Sequence, residues 1–224
     1  MDIKEIISSR KYEEALAIEK VHFVKTDRMV NPKKVSPFKH WEGVRPVLIV
    51  APHAVRHVRK KKIKPSDLFT GSLAYLLADI TGCHALALTK LYGGDPNYDK
   101  NCVFKDEIKR ICSKYDIKLL LDLHGASATK EFDIDIGTMK GKSLLGQKKL
   151  KSRLEKSFKK CAITRISFDS FPAEKQHTVT RFASQELAIP ALQIEINRKF
   201  RAPNQNGLPF NRVLAALASF ISEV

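Results

Sequence analysis

An α/β fold, with a mainly parallel or mixed central sheet flanked by helices, is what this sequence predicts, and three observations carry the prediction. Short apolar runs rich in Val, Ile and Leu recur at 47–53, 118–126 and 189–198, as they do in strands covered on both faces. Segments with helical periodicity separate them, and that alternation is the signature of strands joined by helices. With 224 residues, 43% of them hydrophobic, the chain can bury one sizeable core, so residues 1–224 are read as a single domain with 1–45 as an N-terminal extension packed on it.

The elements follow in order. VLIVAPH at 47–53 reads as a strand that stops abruptly at Pro52 and His53 and runs into a basic loop, RKKKIK at 59–64. PSDLFTGSLAYLLADITG at 65–82 reads as a helix with Ser66 as N-cap and Gly82 as stop. HALALTKLY at 84–92 is a second strand, and GGDPNYD at 93–99 is a turn-rich loop. KDEIKRICSKYD at 105–116 places Ile108, Ile111 and Cys112 on one helical side, and KLLLDLHGA at 118–126 is a third strand.

Further along, DIDIGTM at 133–139 reads as a short strand and LLGQKKLKSRLEKSFKKC at 144–161 as a basic amphipathic helix. HTVTRFA at 177–183 alternates with period two, which predicts a partly exposed strand, and IPALQIEINR at 189–198 is another apolar strand. The last segment, from Asn211, sets Val213, Leu214, Leu217, Phe220 and Ile221 on one helical face.

The formal net charge of +16 favours anionic partners, whether nucleic acid, an anionic surface or acidic small molecules. No nucleic-acid module or aromatic-rich RNA-binding pattern accompanies the charge, and a lysine-rich solvated surface is the plainer reading of it. The four cysteines, Cys83, Cys102, Cys112 and Cys161, show no CxxC spacing and read as reduced structural residues. No apolar stretch is long enough to cross a bilayer and the first residues lack the apolar core of a secretory signal, which predicts a soluble, cytoplasmic protein.

In open α/β sheets, ligands bind beyond the carboxyl ends of the strands. His53, His124 and Glu195 each fall at or near such an end. Imidazoles and carboxylates gathered at one sheet edge suit a divalent metal, zinc in particular, with three protein ligands and a free position. His53 and His124 supply two ligands; Asp67, Asp95, Asp99 and His57 are candidates for the third, with Asp67 ranked first. Asp67 has an alternative role as a favourable negative charge at a helix N-terminus. Asp122, two residues before His124, reads as an outer partner of that histidine or as a capping acceptor. His22, His40, His84 and His177 show no such convergence. Glu195 shares a strand face with Gln193 and Asn197, and a carboxylate there must meet a metal, a hydrogen-bond network or a cation such as Arg198 or Arg181.

The ordered set APH, SDLFTGSLA, DLHGA and ALQIEINR resembles the N-formylglutamate amidohydrolase family, from about residue 47 to residue 198. The resemblance implies a phosphorylase/hydrolase-like α/β fold related to the zinc carboxypeptidases, and a metal-dependent amide hydrolase. By that resemblance His53 in APH and His124 in DLHG are the histidine ligands, Asp67 is the acidic ligand, and Glu195 in EINR is the catalytic carboxylate. Arg181 in VTRF and Arg198 in EINR are then candidates for holding a substrate carboxylate. The sequence departs from the family at PHAVRHVRKKK, where SPHSG or PHGG is usual, which points to a different substrate, and at GGDPNYD, where an arginine-containing segment is usual, which leaves the substrate-binding loop unassigned.

The expected function is zinc-dependent hydrolysis of an amide in a small anionic molecule or short acidic peptide, such as an N-acylated or γ-linked glutamate. The rival expectation is a noncatalytic protein that keeps the hydrolase fold and binds nucleic acid or another polyanion through its basic surface.

Overall fold

A computed structural model of the chain describes residues 2–23, 29–202 and 206–224. The apolar runs form β2 (Arg45–Ala51), β5 (Cys83–Leu88), β6 (Leu119–Ala126) and β9 (Ala191–Asn197), which lie side by side and parallel in the order β5-β2-β6-β9. Both faces of these strands are covered, which is why their sequences are continuously apolar rather than alternating. β1 (Phe38–Trp41) joins β5 antiparallel at one edge; β7 (Ile134–Gly137) joins β9 antiparallel and β8 (Ile166–Phe168) extends it parallel to β7. The sheet is therefore mixed, with a parallel centre and antiparallel additions on each side. β1 lies within the stretch assigned from sequence to the N-terminal extension, so part of that extension is an edge strand.

The helices cover the faces. α3 (Thr70–Thr81) packs on β2 and β5, and α8 (Leu208–Ser222) lies against α3 and α5 (Lys149–Lys160). α1 (Ile3–Ser8) packs on α8, α2 (Lys11–His22) packs on α3, and α6 (Val179–Glu186) packs on β6 and β9. α4 (Val103–Tyr115) buries Phe104, Ile108 and Ile111, and α7 (Arg198–Arg201) is a single turn after β9. Leu48, Leu121, Leu192, Leu73 and Leu217 are all fully inaccessible in one continuous core. The four cysteines are free thiols. Among the described residues no helix is long and apolar enough to cross a membrane.

Five expectations from sequence need correction. HTVTRFA is not a strand: α6 starts at Val179, capped by Thr178, whose Oγ1 accepts the Arg181 N–H. Val179, Thr180, Ala183 and Ser184 form its buried stripe, a helical spacing that the short period-two run imitates. Ser66 does not cap α3, which begins at Thr70 after a left-handed Phe69. Glu19 of α2 does that work instead, accepting Phe69 N–H at 2.9 Å and Ser72 Oγ–H at 2.5 Å, while Gly82 ends the helix at φ +71° as its left-handed freedom predicts. The basic loop is a hairpin, β3 (His57–Arg59) paired antiparallel with β4 (Lys62–Lys64). The strand expected over 84–92 stops at Leu88, and the helix expected over 144–161 starts at Lys149, after a 3-10 turn at Lys142–Leu144.

Candidate metal centre

The parallel register sets the centre of the site. β6 and β9 pair His124 with Glu195 directly, and β9 in turn pairs Glu195 with Asp135 of β7. His53 lies two residues beyond the end of β2, the strand on the other side of β6. Its carbonyl accepts the Asp67 N–H at 2.8 Å, which draws the segment before α3 back over the sheet. His53, Asp67, His124 and Glu195 thus come from four separate segments to one cavity of about 550 Å³.

His53 Nδ1 is 3.6 Å and His124 Nδ1 3.4 Å from the same atom, Asp67 Oδ2. The opposite ring nitrogens face inaccessible carboxylates: His53 Nε2 lies 2.8 Å from Asp95 Oδ1, and His124 Nε2 lies 2.9 Å from Asp122 Oδ1. A carboxylate on Nε2 places the proton there and leaves Nδ1 as the lone-pair donor. With bond lengths of about 2.0–2.2 Å, donor atoms of a tetrahedral zinc site sit roughly 3.3–3.6 Å apart, which is the spacing of these pairs. Two neutral imidazole nitrogens and one carboxylate oxygen are also a donor set that zinc accepts, so the residues fit the ion.

The electrostatics favour a cation at the same point. Burial opposes charge on His53 and His124, but Asp67 and Asp95 around the first and Asp122 and Asp67 around the second outweigh it, and both pKa values are raised. Asp67 shows the complementary effect: burial raises its pKa, the two histidines lower it more, and it ends below the usual carboxylate range. Glu195 has no such partner. Burial, only partly offset by His124, pushes its pKa up to about 7, while Gln193 Nε2 donates to its Oε1 at 3.1 Å. Among the described residues neither Arg181 nor Arg198 forms an ion pair with it.

Asp95 and Asn97 place GGDPNYD inside the site rather than beside it. Asp95 accepts its own Asn97 N–H at 2.9 Å and the Arg59 Nε–H at 2.5 Å in addition to holding His53. Asn97 Oδ1 accepts the Val179 N–H at 2.8 Å, and its Nδ2 lies 2.8 Å from His124 Nε2. Asp122 Oδ2 accepts from Thr180 N and Oγ1, which ties the start of α6 to the histidine strand. His57 stacks on His53 with centroids 3.8 Å apart, and burial together with the charge on His53 lowers its pKa to about 3. Asp99 accepts the Asp95 N–H and shapes the loop from behind.

Arg201 escaped the reading of the sequence altogether. Its guanidinium lies beneath the site and donates to the carbonyls of Leu68, Ile196 and Ala126, one from each segment that carries Asp67, Glu195 and His124. Gly125 exists as glycine for this reason: a Cβ there would stand 2.4 Å from Arg201 Cζ. The two arginines that were singled out lie elsewhere. Arg181 donates to Gln185 and faces a cavity of about 300 Å³ behind α6, and Arg198 is exposed beside a cavity of about 810 Å³ under α1. The cations that line the cavity with Glu195 are Arg59, Lys64 and Lys175.

Neither a family model nor a curated protein matches the sequence, but solved structures match the fold. An N-formylglutamate amidohydrolase from Ralstonia eutropha superposes with a TM-score of 0.57 at 14% identity, over 84% of this chain and 98% of that one. A bacteriophage poly-gamma-glutamate hydrolase gives a TM-score of 0.50 at 15% identity, over 84% and 88%. A succinylglutamate desuccinalase from Vibrio parahaemolyticus gives 0.50 at 13%, over 81% of this chain and 58% of that one. The chain has the α/β architecture of these hydrolases, as the resemblance of its motifs implied.

Proposed function

We propose that the protein is a zinc-dependent amidohydrolase that cleaves an amide bond in an acidic, N-acylated or γ-linked glutamate-like substrate. The observation that carries the reading is the convergence of two histidine Nδ1 atoms on Asp67, with Glu195 in register with His124 on the neighbouring strand. His53, Asp67 and His124 would hold the ion, which when bound supplies Lewis acidity to polarise the scissile carbonyl and acidify water.

Glu195 takes the proton from the attacking water at its carboxylate and returns it to the departing nitrogen. Burial raises the carboxyl pKa above its ordinary value, which favours taking up the proton and holding it until it is returned. Asp95 and Asp122 keep the imidazoles turned with Nδ1 inwards. Gln193 restrains one oxygen of Glu195. The cavity cations Arg59, Lys64 and Lys175 attract an anionic substrate, an attraction that weakens as salt rises. The glutamate-derived compounds in the names of the three similar structures agree with that charge.

The test pairs metal analysis with an amidase assay on N-acylated and γ-linked glutamates. About one zinc per chain, lost in the His53→Ala, His124→Ala double variant, together with hydrolysis that disappears in Glu195→Gln while zinc stays bound, is the expected result. Undiminished hydrolysis by Glu195→Gln would overturn the mechanism.

A further inference from the structure

The hairpin β3–β4 has a composition that its conformation does not call for. Its two turn residues, Lys60 and Lys61, have φ of 51° and 60°, as a two-residue primed turn requires, and such positions favour Asn and Gly because a Cβ is strained there. Lysine is used instead, and Arg59 before the turn and Lys62 and Lys64 after it add to the charge without an acidic residue among them. Local structure does not explain this choice, whereas the charge does.

The placement of the hairpin gives that charge a direction. Both stems open on the cavity, since Arg59 and Lys64 line it with Glu195. Strand β3 is anchored along its length, by Val58 N–H on the Gly94 carbonyl and, next to the turn, by Arg59 on Asp95. Lys60 lies over the Tyr98 ring at 5.6 Å, which braces the turn against the loop below. Among the described residues Lys60, Lys61, Lys62, Lys64 and Lys175 have no carboxylate within ion-pair reach, unlike Lys140 and Lys142, which share Glu174. Three ammonium groups without a carboxylate partner, Lys60, Lys61 and Lys62, thus sit beside the cavity-lining Arg59 and Lys64 without lining the cavity themselves.

We propose that this hairpin is a rail for an oligomeric polycarboxylate, so that the preferred substrate is a chain of acidic residues whose further carboxylates lie along the lysines while one amide occupies the cavity. The proposal rests on the amidohydrolase reading and narrows it from small acids to acidic oligomers. A monomeric acid within the cavity meets the cations that line it, Arg59, Lys64 and Lys175, whereas Lys60, Lys61 and Lys62 do not line it. A repeating anion engages them in proportion to its length, and surface pairs worth a few-fold each multiply to roughly tenfold over three contacts.

The experiment compares wild type with a Lys60→Asn, Lys61→Asn, Lys62→Gln variant, in which asparagine keeps the left-handed turn. With γ-linked oligoglutamates of increasing length, kcat/KM of the wild type should rise roughly tenfold over that for a single N-acylated glutamate at low salt. The variant should lose that gain through KM, with kcat and the monomer reaction unchanged. Binding of a fluorescent oligoglutamate to zinc-loaded Glu195→Gln protein is measured in parallel, with and without the hairpin changes. Hydrolysis that fails for every length, with binding that still grows with length and depends on the hairpin, would remove the enzyme reading and keep the rail. Length-independent kcat/KM and binding, or an unaltered response in the variant, would overturn the rail. Tighter hairpin-dependent binding of single-stranded DNA or inorganic polyphosphate of equal charge would also overturn it, in favour of a phosphate polyanion.

Discussion

His53 stands between two clusters made of the same kinds of residue, and they are not equivalent. On its Nδ1 side are Asp67 and His124; on its Nε2 side are Asp95 and His57, and in each group the donor atoms lie within 4.8 Å of one another. The second group is already neutralised, because Arg59 Nε sits 2.5 Å from Asp95 Oδ2 and supplies the positive charge there. Among the described residues His57 Nδ1 is buried without a hydrogen-bond partner, and the ring resists protonation. In the first group the two imidazoles are the side-chain contacts of Asp67 among the described residues, Arg201 acts on it through space from beneath, and Glu195 waits across the cavity with its pKa raised. Residue types alone do not separate the two clusters; the guanidinium bound directly to Asp95 does, and it makes the first the better candidate for an added cation.

The sharpest way to break this comparison is to remove one histidine from each side. His124→Ala should lower zinc affinity by more than about a hundredfold, beyond the 10–100-fold typical of losing an outer partner, whereas His57→Ala should change it by less than about threefold. A larger loss for His57→Ala, in competition with a chromophoric chelator, would mean that the clusters had been assigned the wrong way round, and equal losses would mean that both histidines hold the ion. Glu195→Gln should reduce kcat by about 10²–10⁴ with zinc content unchanged, separating the proton-transfer residue from the ligands.

A smaller effect is expected of Asp95→Asn, which keeps the shape of the side chain but weakens its hold on His53 Nε2–H. Zinc affinity should fall about 10–100-fold, and less than in His124→Ala. This places Asp95 as a positioning residue of the first cluster rather than a ligand in the second.

Stripping the metal exposes the charge on Glu195. Its pKa is raised on folding from an ordinary 4.5 to about 7, so the folded protein holds a proton that the unfolded chain has released between those values. Stability from this group is fully present below pH 4.5 and is lost as pH rises to 7, by about 3 kcal/mol. Chemical unfolding of apo-protein should show that decline, and Glu195→Gln, which cannot ionise, should remove it. Gly125→Ala forces a methyl against Arg201 and should cost about 1–3 kcal/mol, read in the same unfolding assay on both apo- and zinc-loaded protein.

The strands that carry the candidate site were legible because a parallel sheet buried on both faces needs uninterrupted apolar runs, and polar residues at their ends stand out against them. That reasoning reached His53, His124 and Glu195, and the acid ranked first beside them, Asp67, lies in the same cavity. It did not reach Arg201, whose only signal is one more arginine in a chain rich in them, nor the orientation of Asp95 and Asn97, which depends on how a loop folds back between strands. Arg181 and Arg198 failed to meet Glu195 for a related reason: α6 and the turn of α7 point them away from the cavity, and a period-two pattern of seven residues concealed that α6 is a helix. The hairpin was hidden too, because six residues of basic sequence carry no alternation of apolar and polar positions.

By itself the sequence determined the class of fold, the parallel centre of the sheet and the chemistry gathered at its edge, since hydrophobic periodicity and residue type are local properties. Tertiary structure alone decided which acid faces both histidines, which carboxylates fix the ring nitrogens, which cations enter the cavity and which histidine cluster is already occupied by a guanidinium. Those are matters of distance between segments far apart in the chain, and charges act through space rather than along the backbone.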